Sequence, residues 1–283
     1  GSAKPELAID SSALGGMYAG AIKLVGTEAG VGVKLDGTLA ASGGDIQLDA
    51  NGHLSMAQAA ASGAVDIKAA SLETKGAVYA GTRLKAQTKG TLKNTKTLAA
   101  RDSITLASNG QLINNGIVEA GVNADNTRNT AGDVKLDGQN ISNTGTVIAN
   151  RTLTATAAQN LDNQGGTMSA RQALDVTADS VDNRNKGQLL SDGTQTLNVN
   201  GLLDNSQGGI IDSTGAFTLH GNRLDNSGGN LTGGGASTLD LLGDRFEHAH
   251  PLADEVARRQ RLGIRVERGG NAAAHHEAVS ARG

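Results

Sequence analysis

The sequence reads as an all-β solenoid, a right-handed parallel β-helix whose coils hold about 20 residues and three short strands each. Alternating strand segments return at regular intervals, and an aliphatic–polar–Asn signature returns with them. Proline is missing between Glu6 and His250, as uninterrupted backbone ladders require.

The first strand of each period alternates apolar and polar residues, the signature of strand rather than helix. It runs through Asp45-Ile46-Gln47-Leu48, Val65-Asp66-Ile67, Arg83-Leu84-Lys85-Ala86 and Ser103-Ile104-Thr105-Leu106. It continues in Asp133-Val134-Lys135-Leu136, Thr152-Leu153-Thr154-Ala155, Leu174-Asp175-Val176, Leu197-Asn198-Val199, Phe217-Thr218-Leu219 and Leu239-Asp240-Leu241. The aliphatic members point inward, while the Asp, Lys, Thr and Gln between them face solvent.

The second strand carries an aliphatic residue, one polar residue and Asn: Leu92/Asn94, Leu112/Asn114, Ile141/Asn143, Leu161/Asn163, Val181/Asn183, Leu203/Asn205 and Leu224/Asn226. Successive asparagines are 20, 29, 20, 20, 22 and 21 residues apart. The third strand follows a Gly-bearing turn, as in Gly116-Ile117-Val118, Gly166-Thr167-Met168 and Gly229-Asn230-Leu231. One coil cannot bury its apolar side alone, and stacking at about 4.8 Å makes the interior continuous. Two explanations compete for the asparagines. Their amides form a ladder up the column, or asparagine merely tolerates a left-handed turn. Glycine serves a left-handed turn equally well and never takes these seven positions, which favours the ladder.

Composition fits thin aliphatic layers. The chain has 283 residues, 40 Gly and four aromatics (Tyr18, Tyr79, Phe217, Phe246), so large aromatic side chains cannot build the core. A net charge of −3 gives no field for nucleic acid. No apolar run approaches the roughly 18 residues of a membrane span. The absence of Cys excludes disulfides and thiolate metal sites. A secreted chain crossing an outer membrane unfolded is also well served by having none.

Three segments depart from the pattern. Residues 1–8 read as a cloning scar (Gly1, Ser2) and lead-in to the repeat region 9–243. The long period holds a polar insertion at 121–131, expected to project as a solvated loop whose removal costs little stability. From Asp244 to Gly283 no alternating strand is evident, and seven of fourteen Arg and four of six His gather there. Pro251, Asp254, Glu255, Arg258, Arg259, Arg261 and Gly263 spell either a short capping helix over 251–262 or a disordered or foreign tail.

Enzymatic chemistry finds little support. Asp45, Asp66, Asp133 and Asp175 sit singly at outward positions, whereas polysaccharide-cleaving sites need converging carboxylates. His248, His250, His275 and His276 lack the spacing of a metal site on a known element. No catalytic, cofactor-binding or metal-binding residue is assigned. Gly233-Gly234-Gly235 lacks the Lys-Ser/Thr of a phosphate loop.

The block Ala13-Leu14-Gly15-Gly16-Met17-Tyr18-Ala19-Gly20, continued by Ile22-Lys23-Leu24-Val25-Gly26-Thr27-Glu28-Ala29-Gly30-Val31-Gly32-Val33, resembles two-partner-secretion exoproteins just after their secretion domain, and the resemblance covers about Ile9 to Gly243. These are the filamentous haemagglutinins and the contact-dependent inhibition toxins called CdiA, and the Asn/Gly repeats are similar to their haemagglutinin repeats. The resemblance implies a Gram-negative protein exported by a dedicated outer-membrane transporter and displayed on the cell surface. It implies a repeat stalk carrying an adhesive or toxin-delivering region to a target cell. The alternative is an adhesin binding carbohydrate or receptor through the solenoid side. The ends of such a segment are expected to associate end to end.

Overall fold

A computed structural model describes residues 7–10, 15–242, 246–247 and 264–268. Every ladder pairing its named strands is parallel, and among the described residues no helix forms. The chain divides into two compact units, Gly1–Ile141 with Gly145–Asn150, and Ser142–Thr144 with Arg151–Gly283.

The first unit is a parallel β-solenoid. One sheet stacks Met17–Ala19, Leu39–Ala41, Ala59–Ala61, Val78–Ala80, Thr97–Ala100, Ile117–Ala120 and Thr146–Ala149, one strand per coil. Its register lays Ala59 on Val78, Val78 on Leu98, Leu98 on Val118 and Val118 on Val147. The facing sheet lays Ile22 on Ile46, Ile46 on Val65, Val65 on Leu84 and Leu84 on Ile104. All of these residues are buried. A buried aliphatic side chain contributes about 1.5–3 kcal/mol, so repeated layers of Val, Leu, Ile and Ala replace the aromatic core that the sequence lacks. The first two strands of a coil are separate in Arg83–Thr88 and Leu92–Asn94 but run on as one in Ile46–Met56, Val65–Thr74 and Ser103–Asn114. Where they fuse in Ile46–Met56, a register irregularity between Ala50 and His53 absorbs the bend.

The second unit repeats this construction. Thr167–Ala170, Gln188–Ser191, Ile210–Ser213 and Asn230–Gly233 stack with Met168, Leu189, Ile211 and Leu231 in one inward column. Opposite them Ala155, Val176, Leu197, Leu219 and Leu239 align. Two strands also form where the sequence suggested none. Phe246–Glu247 pairs beside Leu224 and Asp225, and Ile264–Arg268 pairs along Ser237–Leu241. The segment 251–262, with its helical expectation, lies outside the described residues, as do His248, His250, His275 and His276.

Candidate functional site: an asparagine column and an anchored loop

Asn94, Asn114 and Asn143 end the second strand of their coils, whereas Asn163, Asn183, Asn205 and Asn226 directly follow it; all seven side chains turn inward, and each residue is at most 8% exposed. In the first unit Thr74 Oγ1 donates to Asn94 Oδ1 (2.7 Å), and Asn94 Nδ2 donates to Asn114 Oδ1 (2.8 Å). In the second unit Asn143 donates to Asn163 and Asn163 to Asn183 at 2.8 Å. Asn183 donates to Asn205, and Asn205 to Asn226, at 2.7 Å. The amides of Asn94, Asn163, Asn183 and Asn205 also reach carbonyls of their own turn and of the next coil. Asn183 Nδ2, for instance, contacts Gly187 O (3.0 Å) and Ile210 O (3.1 Å). None of the seven has a positive φ. Left-handed backbone is found instead further along the turn, at Gly165, Asn185, Lys186, Gln207, Gly208 and Gly228. Thr74 was not evident from the sequence, because the residue below it in register is Met56 and the column is apolar there.

Asn163→Ala is expected to cost about 1–3 kcal/mol in chemical denaturation, since Asn143 and Asn183 each lose a partner inside the protein. With ordinary φ at this position, Asn163→Gly should lose at least as much. A glycine variant as stable as the parent would mean that turn geometry was the reason for asparagine.

The turns after Asn163, Asn183, Asn205 and Asn226 have two further requirements. The last glycine of each lies against the preceding coil: a Cβ on Gly166, Gly187, Gly209 or Gly229 would strike the carbonyl oxygen of Asn143, Asn163, Asn183 or Asn205. The residue before Asn163, Asn183, Asn205 and Asn226 is aspartate. Asp162 pairs with Asp182, Asp182 with Asp204 and Asp204 with Asp225. Each carboxylate accepts the backbone N–H two residues on, at 2.9–3.1 Å. Arg184 offsets the repulsion of the stacked charges, at 2.7 Å from Asp182 and 3.5 Å from Asp204. Its guanidinium is held protonated even more firmly than usual, first by the Asp182 hydrogen bond and then by that residue's charge.

The insertion between Ala120 and Asp133 does not project freely. Glu119 occupies an outward position yet is 8% exposed, because the loop folds over it. Arg128 Nε and Nη2 donate to its two carboxylate oxygens, both at 2.8 Å. Asn150 adds a weaker bond to Glu119 Oε1 (3.3 Å), and Val122 is buried. Tyr79 donates its hydroxyl to Val122 O (3.1 Å), and burial pushes its pKa up. At the tip Thr127 Oγ1 donates to Asp125 Oδ1 (2.6 Å), which holds that carboxyl below its ordinary value. The loop expected from composition is exposed at 124–128 and 130–131, and it is anchored as well to the coils beneath. Its polar residues are paired with one another and with the coils beneath, a pairing that a sequence without alternation does not signal.

Among the described residues no three His, Asp or Glu side chains converge to hold a metal. The haemagglutinin-repeat family model matches residues 3–56 and 190–243. The chain is 30% identical over 218 residues, 70% of its length, to the tRNA nuclease CdiA of Yersinia mollaretii. It is 40% identical over 114 residues, 40% of its length, to the 16S rRNA endonuclease CdiA of Enterobacter cloacae. It is 33% identical over 182 residues, 63% of its length, to the toxin CdiA of Escherichia coli. Those alignments span only 7%, 3% and 5% of the respective relatives. No solved structure gives a significant match. Coils of the expected period, the stacked Asn/Gly turns and these matches agree: the chain belongs to the filamentous haemagglutinin and CdiA family of haemagglutinin-repeat proteins.

Proposed function

We propose that this chain is a structural stalk segment of a secreted filamentous exoprotein. In this reading a dedicated outer-membrane transporter exports the parent, which is displayed on the surface of a Gram-negative cell. The segment then holds an adhesive or toxin-delivering region away from that surface, where it meets the target cell. One observation carries the reading. Buried columns repeat coil after coil, whereas the outward residues beside them change: along one outward column Lys23, Gln47, Asp66, Lys85 and Thr105 succeed one another. Selection for stacking with little constraint outside is what a spacer requires. The nuclease activities named for the relatives belong to those proteins, and in this reading such chemistry resides outside the repeats.

The test removes one whole coil from the parent protein, residues 184–205, which joins Asn183 to Ser206 and keeps the column in step. Secretion and the effect on target cells should stay within about twofold of the parent, because stacked repeats tolerate a change in number. Loss of target-cell binding with secretion intact would replace the stalk by an adhesin acting through its side.

A further inference from the structure

In a solenoid each coil touches only its neighbours, so coils can open one at a time. The loop at 121–132 breaks that rule within the first unit. Val122 lies one residue past the loop's start, after strand Ile117–Ala120, yet its carbonyl takes the hydroxyl of Tyr79 from strand Val78–Ala80. The coil carrying Thr97–Ala100 stands between these two strands. That middle coil is held as well, since Asn129 Nδ2 donates to Arg101 O (2.9 Å). On the other side Asn150, just past Thr146–Ala149, donates to Ala120 O (2.8 Å) and to Glu119. The bidentate Arg128–Glu119 pair then fixes the loop in this position, with the Glu119 side chain 11% exposed. Both loop ends are glycines in confined places. Gly121 has φ +92 and its missing Cβ faces Asn150 Cβ at 2.6 Å, while a Cβ on Gly132 would strike the backbone of Ala120 and Gly121.

We propose that the loop is a clasp that makes these four coils open and close as one block, so that unravelling which reaches the block from either side stops there. The hydrogen bonds of the ladder supply neighbour-to-neighbour coupling. The clasp adds coupling across an intervening coil, which ladders cannot provide.

Hydrogen exchange on the whole chain tests the clasp. In the parent protein the amides of Val78–Ala80, Thr97–Ala100, Ile117–Ala120 and Thr146–Ala149 should share one level of protection. The triple variant Tyr79→Phe, Glu119→Gln, Arg128→Gln removes the coil-skipping bond and the charge pair while nearly preserving shape. Val78–Ala80 should then exchange about tenfold faster than Ile117–Ala120, as expected for loss of charge-assisted and neutral hydrogen bonds. Four strands still sharing one rate in that variant would overturn the clasp, as would four different rates in the parent. If the triple variant does not fold, Tyr79→Phe alone decides. It should speed exchange about fivefold at Val78–Ala80 and leave Thr146–Ala149 unchanged, and no change at Val78–Ala80 would reject the proposal.

Discussion

Gly187→Ala is expected to destabilise the second unit by about 3 kcal/mol or more, at the upper end of overpacking costs. The added methyl would stand 2.5 Å from Asn163 O, 2.6 Å from Asn183 Oδ1 and 2.8 Å from Asn183 O. Two of these are backbone atoms already held in the stack, and the third is a rung of the amide column. Relief therefore requires the coils to part or the column to break. Gly165→Ala in the preceding turn is the control. It has φ +67 with nothing nearer than Asn185 O at 3.8 Å, so the change should cost only the left-handed penalty of about 1–2 kcal/mol. Equal losses in thermal or urea denaturation would show that backbone conformation, not space, is why glycine closes these turns.

Gln195→Leu is expected to act in the opposite direction. Gln195 is fully buried, lies in register between Leu174 and Phe217, and has a hydrogen-bond partner for neither its amide oxygen nor its nitrogen. Burying such an amide unpaired costs roughly 1–3 kcal/mol by protein mutational data. Leucine restores the aliphatic column at similar volume, so a gain of about 2 kcal/mol is expected, with a melting temperature several degrees higher. Gln195→Ala should gain less or lose, because it leaves a cavity beside Phe217. If leucine lowers stability instead, the amide is making an interaction that outweighs its burial.

The period of the coils was legible because each places aliphatic residues two apart before a turn, and nothing in the composition competes with that signal. Gln195 is legible only in part. Alternation through Thr194, Gln195, Thr196 and Leu197 puts it on the inward face, but its polarity argues for the surface. Ile264–Arg268 alternates as well, yet the Arg-rich residues before it mask the return of the pattern. The anchored loop was not legible. Its residues are the polar types that also make solvated loops, and two of the partners that hold it are distant in sequence: Arg101 lies 28 residues from Asn129, and Tyr79 lies 43 residues from Val122. A hint was Glu119 in the otherwise apolar run Ile117-Val118-Glu119-Ala120, a carboxylate placed beside its own cover.

The amide column also has a direction. Asn94 donates to Asn114, and from Asn143 through Asn205 each amide again donates to the asparagine that follows in sequence. Donors thus point toward the C-terminal side of a coil and acceptors toward its N-terminal side, and aligned hydrogen bonds of this kind polarise one another. Within each unit the pull of one amide on the next therefore runs one way along the chain, and the loss of a single amide weakens the bonds on both sides of it.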